Sequence, residues 1–190
     1  SSAKLLKDYI YKGSVDKLPL KVDPGKYHLS RSKSLYQSKQ YGLCLIEAGT
    51  AARLSPDDLK VQEILVGLHS MFLRLDMAEK SVGTFIKYAK EDNKLKSRGY
   101  QELADIEVLR GHLKKAKELY EKAKGLGDPN GIAKASLDEF PEKVDSTERQ
   151  PLNPNALFID PINALNRKGE IFAHFGMYQR AMGIYSMVLR

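Results

Sequence analysis

The sequence predicts an all-α protein built from antiparallel helix pairs that recur along the chain. Apolar residues recur at helical spacing, and no Asn-Gly or Asp-Gly turn separates two alternating runs of β-branched residues. Short turns between the predicted helices force neighbouring helices to run antiparallel. Because such pairs recur at near-constant intervals, we expect a helical repeat architecture.

The predicted helices cover most of the chain, and two of their starts carry clear signals. Ser55 and Pro56 precede two aspartates, and together they supply a capping hydroxyl, a helix-opening proline and favourable negative charge. Asp160 and Pro161 do the same for the helix that follows them. The expected helices span 3–12, 25–38, 41–54, 57–74, 78–91, 95–110, 113–125, 162–174 and 178–189. Turns within pairs are expected at 38–40, 75–77, 110–112 and 175–177.

Four regions follow from this pattern. Residues 1–24 form an N-terminal helix and linker, and residues 25–124 form three helix pairs. Residues 125–161 hold a short helix near 132–140 and a proline-rich acidic linker, of which 141–158 is irregular in composition. Such a loop is either a surface insertion between units or a functional segment. Residues 162–190 form a last pair, which we expect to be cut short at its end.

Repetition shows in one small residue near the start of each second helix. The first two intervals between these residues are 37 and 35 residues, and the last, of 65 residues, contains the insertion. Small residues let two helices approach closely, while larger apolar residues around them fill the space to the next pair. The four small residues are Cys44, Ser81, Ala116 and Ala181.

These units resemble the tetratricopeptide repeat. The last pair has the signature residues Leu165, Gly169, Phe172, Gly176, Tyr178, Ala181 and Tyr185, and the third pair has Tyr100, Leu103, Ala104, Gly111, Leu113, Ala116, Tyr120 and Ala123. The first pair has Arg31 where an apolar residue is usual, and the second has Asp76 in its turn. A stretch at 116–137 also resembles the related Sel1-like repeat. The resemblance implies a right-handed α-solenoid of about four units with an irregular insertion before the last.

Composition excludes several classes of protein. The longest apolar stretch, residues 64–73, is too short to cross a bilayer, so we expect no transmembrane segment. The single cysteine, Cys44, cannot form an internal disulfide and is expected to be a packed thiol. The formal net charge is +7, but lysines alternate with acidic residues at helical spacing, which is typical of a solvated helix face. We therefore expect no nucleic-acid ligand.

No catalytic arrangement is found in the sequence, and we expect a protein that is not an enzyme. The four histidines lie far apart, without a second ligand at metal-binding spacing, so neither a metal nor a cofactor is expected. His69 is expected to be packed and hydrogen-bonded. The glycines at 125–131 follow a helix rather than a strand, which indicates a helix terminator and not a phosphate loop. Nothing in the sequence marks Glu102, Asp105 or Glu107 as buried.

The family resemblance also implies a binding surface, the concave face lined by the first helix of each pair. The family's carboxylate clamp is not reproduced, because Leu29 and Gly67 stand where a lysine and an asparagine belong, so binding of chaperone tails is disfavoured. Tyr36, Leu73 and Val108 are expected either to line one strip of the groove or to form inter-unit core. The groove positions are Leu29, Lys33, Tyr36, Val66, Ser70, Leu73, Arg74, Gln101, Asp105, Val108, Asn166, Glu170 and His174.

The function implied is a non-enzymatic scaffold or adaptor that binds a peptide, a helix or a partner protein in this groove. The alternative is RNA binding by a related helical-repeat solenoid, although the repeated pair of code residues is missing. Apolar Ile184, Met187 and Val188 predict self-association through the last helix. The compartment stays open, either cytoplasmic or facing the periplasm. One interpretation of the initial Ser-Ser is a bacterial lipoprotein of an assembly, secretion or pilus system.

Overall fold

The computed structural model describes residues 23–141 and 161–188, and within these ranges every regular element is a helix. The predicted helix at 3–12 and nearly all of the predicted irregular segment at 141–158 lie outside the described residues. In chain order the helices are α1 (Pro24–Gln37), α2 (Tyr41–Leu54), α3 (Leu59–Met71), α4 (Leu75–Tyr88), α5 (Asn93–Arg110), α6 (Leu113–Gly125), α7 (Ile132–Asp138), α8 (Pro161–His174) and α9 (Tyr178–Val188).

Successive helices pack as pairs, as the sequence predicts. The pairs are α1 with α2, α3 with α4, α5 with α6 and α8 with α9, and α2 also contacts α3 while α4 contacts α5. The short helix α7 packs on α6 and α9. This arrangement is consistent with a helical repeat. In addition, α8 crosses to contact both α5 and α3, which brings the last pair back against the middle of the chain.

Close approach within the pairs depends on small residues. Cys44, Ala116 and Ala181 are buried, and so is Ser81, which confirms the four small positions as packing sites. Two glycines show how tight the contacts are. A Cβ atom at Gly99 would lie 2.4 Å from the side chain of Ile86, and one at Gly169 would lie 2.4 Å from the ring of Tyr185. Only glycine therefore permits the observed α4–α5 and α8–α9 spacing.

The start of α3 differs from the prediction. Asp58, not Ser55, caps the helix, and its Oδ1 accepts a hydrogen bond of 2.9 Å from the backbone N of Lys60. Ser55 instead ends α2, where its backbone N donates to the carbonyl of Ala51. The intervening residues form a turn that Gln62 stabilises, because its Nε2 donates to the Pro56 carbonyl over 3.0 Å.

The predicted turn at 75–77 is wrong, because α4 already begins at Leu75. The turn lies at residues 72–74, where Leu73 adopts a φ of 53°. The backbone N of Arg74 donates to the carbonyl of His69 over 2.9 Å and closes the end of α3. Glycine and asparagine usually occupy such left-handed positions, so a leucine there gives no sequence signal. Turns that do contain glycine, at Gly111 and Gly176, lie where they were predicted.

The largest apolar core lies between α5, α6, α7, α8 and α9. It contains Tyr120, Phe172 and Met177, each of which is fully buried, and Ile184. Smaller clusters hold α1, α2 and α3 together and join α3, α4 and α5. The burial of Ile184 corrects the expectation that it leaves apolar surface at the last helix. No helix in the described ranges is long and apolar enough to span a bilayer.

Candidate binding groove

Two cavities open between the first pair, the middle of the array and the last pair. The larger has a volume of about 700 Å³ and the smaller about 420 Å³. Both are lined by Glu63, Gly67, Glu102, Lys168 and Met187, so they are parts of one continuous space. We call this space the groove.

Helix α3 supplies one long wall of the groove. Glu63, Gly67 and Ser70 recur at intervals of four and three residues, which places them on one helix face. Gly67 lies at the middle of this face, and a Cβ atom added there would meet nothing within 4 Å. The groove therefore has open space beside Gly67.

Apolar side chains cover much of the remaining wall. Ile64, Leu68 and Leu165 line the larger cavity, and Val82, Phe85 and Ile184 line the smaller one. Such a mainly apolar lining with a few polar groups is typical of ligand-binding clefts.

The floor of the groove carries an ionic cluster of two acidic and two basic side chains, Glu102, Asp105, Lys168 and Arg180. Asp105 is buried and accepts a hydrogen bond of 2.5 Å from the hydroxyl of Tyr120. The guanidinium of Arg180 donates to the other carboxylate oxygen of Asp105, and the Lys168 Nζ lies 3.8 Å from that same oxygen. Burial works to raise the pKa of Asp105, but the charges of Arg180 and Lys168 outweigh it and hold the pKa below its ordinary value.

Glu102 lies one helical turn before Asp105 and is much less well bonded. Among the described residues its single hydrogen bond is a long one, 3.4 Å, from the hydroxyl of Ser70. Burial raises the pKa of Glu102, and the positive charge of Lys168 offsets this only in part. Lys168 itself is 8% exposed. Among the described residues its Nζ makes no hydrogen bond, and its nearest ionic contact is the one of 3.8 Å to Asp105. An acceptor and a donor thus face the groove with unused bonding capacity.

The structure places the sequence-predicted groove residues in three groups. Lys33, Tyr36, Val66, Ser70, Gln101 and Asp105 line the groove. Leu29, Leu73 and Val108 are buried in apolar clusters, so Leu73 and Val108 belong to inter-unit core and only Tyr36 of the predicted strip stays at the groove. Arg74 lines a further pocket beside α2 that adjoins the larger cavity at Lys39, Tyr41 and Pro161. Asn166, Glu170 and His174 are not among the lining residues of the groove.

The predicted groove residues of α8 lie on a different face of the helix from the residues that line the cavities. Asn166, Glu170 and His174 recur every four residues and form one face of α8, whereas Pro161, Leu165 and Lys168 form the face that meets α3 and α5. In the sequence, the second face is marked by the spacing of Leu165, Lys168 and Phe172 at intervals of three and four residues. All three are buried in the structure. A lysine within such an apolar face indicates a partner or a cavity.

Gln101 has a structural role besides lining the groove. Its Nε2 donates to Asp128 Oδ1 over 2.7 Å, and the carboxylate of Asp128 also accepts from the backbone N of Ala133 and of Lys134. The glycine-rich segment before α7 is therefore a capped helix–helix turn, as the sequence analysis predicted, and Gln101 ties it to α5.

The histidines lie apart from the groove. His28 contacts Glu47 and His112 contacts Glu107, each through Nδ1, whereas the buried Nδ1 of His69 has no hydrogen-bond partner. His69 is thus packed as predicted but not hydrogen-bonded at that atom, and burial lowers its pKa to about 4. Within the described ranges, no three His, Cys, Asp or Glu side chains converge in a way that could hold a metal ion.

No protein-family model matches the chain, and no curated protein is similar to it. The geometry of the groove is therefore the basis for a functional interpretation.

Proposed function

We propose that the protein is a non-enzymatic interaction scaffold of the tetratricopeptide-repeat type, a right-handed solenoid that binds an extended peptide segment of a partner protein in the groove. The observation that carries the proposal is one continuous space of two joined cavities with apolar walls and an under-bonded acid–base pair on its floor. Apolar walls supply binding energy, while a few polar groups fix the register of a ligand.

An extended segment fits better than a helix. An α-helix with its side chains is about 10–12 Å across, and α8 already fills a place of that width beside α5 and α3. The space that remains is divided into two lobes around Gly67. An extended chain directs alternate side chains to opposite sides, so it can fill both lobes while its other side chains face the rim.

The proposal is tested by blocking the groove without harming the fold. Gly67→Leu places a side chain in open space inside the groove, and Gly83→Leu places the same side chain in open space on α4, outside the groove. Both changes replace a helical glycine, so each is expected to stabilise the helix by up to about 0.8 kcal/mol. Thermal unfolding checks that both variants melt at or above the temperature of the wild type.

The binding measurement is selection of a phage-displayed random peptide library on the three proteins. We expect the wild type and Gly83→Leu to enrich the same sequences, and Gly67→Leu to retain them at least about tenfold less well, since filling the cavity removes the apolar contacts. Equal enrichment on Gly67→Leu, or no enrichment on the wild type, contradicts the proposal.

A further inference from the structure

The groove floor holds two acidic and two basic side chains, which restricts the ligand that can bind there. When Glu102 and Asp105 are both ionised, their two negative charges match the two positive charges of Lys168 and Arg180. A charged ligand group placed among them would add an uncompensated charge in a poorly solvated place, which is costly. This inference rests on the proposed peptide-binding function.

Hydrogen bonding on the floor is incomplete at one acceptor, Glu102, and at two donors, Lys168 and the Nε of Arg180, which is buried without a partner among the described residues. Asp105 is satisfied, because one of its oxygens accepts from the guanidinium of Arg180 and the other from the hydroxyl of Tyr120. Glu102 has only the long bond from Ser70, and the Nζ of Lys168 has no closer contact than 3.8 Å within the described residues. An apolar ligand group would strip water from both atoms without replacing their hydrogen bonds.

We propose that the groove selects a peptide with a side-chain carboxamide, glutamine or asparagine, whose NH₂ donates to Glu102 and whose carbonyl accepts from Lys168. A carboxamide is neutral, and it carries the donor and the acceptor that these two residues lack. Because Gly67 has no side chain and the space beside it is open, such a ligand side chain can reach the floor there. Apolar side chains on either side of it occupy the two lobes.

Other charged groups around the groove do not change this balance. Glu63 is paired with Arg98 at its edge. Lys33 and Lys39 line the larger cavity but are exposed, so water and salt screen them. Selection at the floor therefore depends on the neutral cluster and not on the net charge of the protein.

The test uses four pools of fluorescein-labelled peptides, acetylated and amidated to remove terminal charges. The central residue is Gln, Leu, Lys or Glu, and the flanking positions are randomised among Leu, Val, Phe, Ala, Ser and Thr. Fluorescence polarisation at pH 8, which favours the ionised form of Glu102, measures the affinity of each pool. We expect the wild type to bind the Gln pool about tenfold more tightly than each of the others.

Two variants shift the charge balance in opposite directions. Glu102→Gln leaves the floor with one excess positive charge, so the Glu pool becomes the tightest ligand. Lys168→Met leaves one excess negative charge, so the Lys pool becomes the tightest, and Lys168→Gln serves as a second variant if the methionine form unfolds. A charged or Leu pool that equals the Gln pool on the wild type, or an unchanged order on both variants, overturns the inference.

The outcomes separate this inference from the function on which it rests. If Gly67→Leu abolishes binding but the Gln pool has no advantage, the peptide groove stands and the carboxamide selectivity fails. If no pool binds the wild type, or Gly67→Leu binds every pool as the wild type does, both fail.

Discussion

Two buried carboxylates on α5, only two residues apart, join different parts of the molecule. Glu107 contacts Arg110, His112 and Lys115, all within eight residues of it along the chain. Asp105 contacts Tyr120 on α6 and Arg180 on α9, and the second of these lies 75 residues away. The first cluster fixes the turn between α5 and α6, and the second attaches the last helix pair to the array.

The surroundings of the two clusters also differ. The side chains of His112 and Lys115 are 62% and 58% exposed, so water can hydrate them when Glu107 is lost. Those of Arg180 and Lys168 are 17% and 10% exposed, so they depend on Asp105 for compensation. Equal burial of two acids therefore does not mean equal importance, because the exposure of their partners decides the cost of removing them.

The largest expected effect separates the two carboxylates. Asp105→Ala leaves two buried cations with only the more distant Glu102 as a counter-charge and should lower the free energy of unfolding by about 3–5 kcal/mol. Glu107→Ala removes bonds to His112 and Lys115, which regain water, and one bond of Arg110, which keeps its contacts with Asp76 and Glu79, so it should cost about 1–3 kcal/mol. Urea unfolding at neutral pH measures both. Equal losses would show that partner exposure is not the deciding factor.

As the pH is lowered, protonation of His69 should reduce the free energy of unfolding before Asp105 or Glu107 titrates. Burial lowers the pKa of His69 from 6.5 to about 4, so the unfolded chain binds more protons than the folded one between these values. Stability should fall by about 3 kcal/mol as the pH drops through this window. His69→Phe should remove that loss, which chemical denaturation at several pH values can follow. If His69→Phe loses as much stability as the wild type over this pH range, the loss is not caused by His69.

Protonation of Asp105 and Glu107 reduces the free energy of unfolding at lower pH than protonation of His69 does. The pKa of each is depressed in the folded state, so their stabilisation is complete above the ordinary values of 3.8 and 4.5 and is lost as the pH falls through the folded values. Once His69 is replaced, the remaining acid limb reports on these two carboxylates and, with the opposite sign, on Glu102, whose pKa is raised.

Salt should weaken one cluster and spare the other. A double-mutant cycle of Glu107→Ala with Lys115→Ala is expected to give a coupling of about 0.5 kcal/mol at low salt, because Lys115 is exposed, and less in 1 M NaCl. The matched cycle of Asp105→Ala with Lys168→Met should change little with salt, since both partners are buried. If 1 M NaCl weakens the coupling energy equally in the two cycles, Lys168 is hydrated and not buried, which contradicts the prediction.

The smallest expected effect has the opposite sign. The raised pKa of Glu102 means that its ionised form opposes folding, so Glu102→Gln should raise the urea midpoint slightly at neutral pH. The gain should disappear in acid, where the wild-type carboxyl is protonated. A lower midpoint would mean that Glu102 is paired more tightly than its single long hydrogen bond indicates.

Local signals in the sequence predicted most helix positions but could not reveal the groove floor. The turns at Gly111 and Gly176 were found because glycine marks a left-handed residue, whereas Leu73 in the same conformation hid the start of α4. Lys33 and Tyr36 line the larger cavity, and their position follows from the helical register of α1. Glu102 and Lys168 were missed because their meeting depends on how α8 returns to α5 and α3 after a long insertion, and no short-range pattern determines that path.

The 75-residue separation of Asp105 from Arg180 has a consequence for synthesis on the ribosome. At about 5–20 residues per second, Arg180 is added roughly 4–15 s after Asp105. During that interval α5 and α6 can pair, but Asp105 does not yet have the guanidinium of Arg180 as its counter-charge. We expect the nascent chain to hold this surface hydrated and loosely packed until the last helix pair arrives. Completion of this core therefore waits until α9 has been translated.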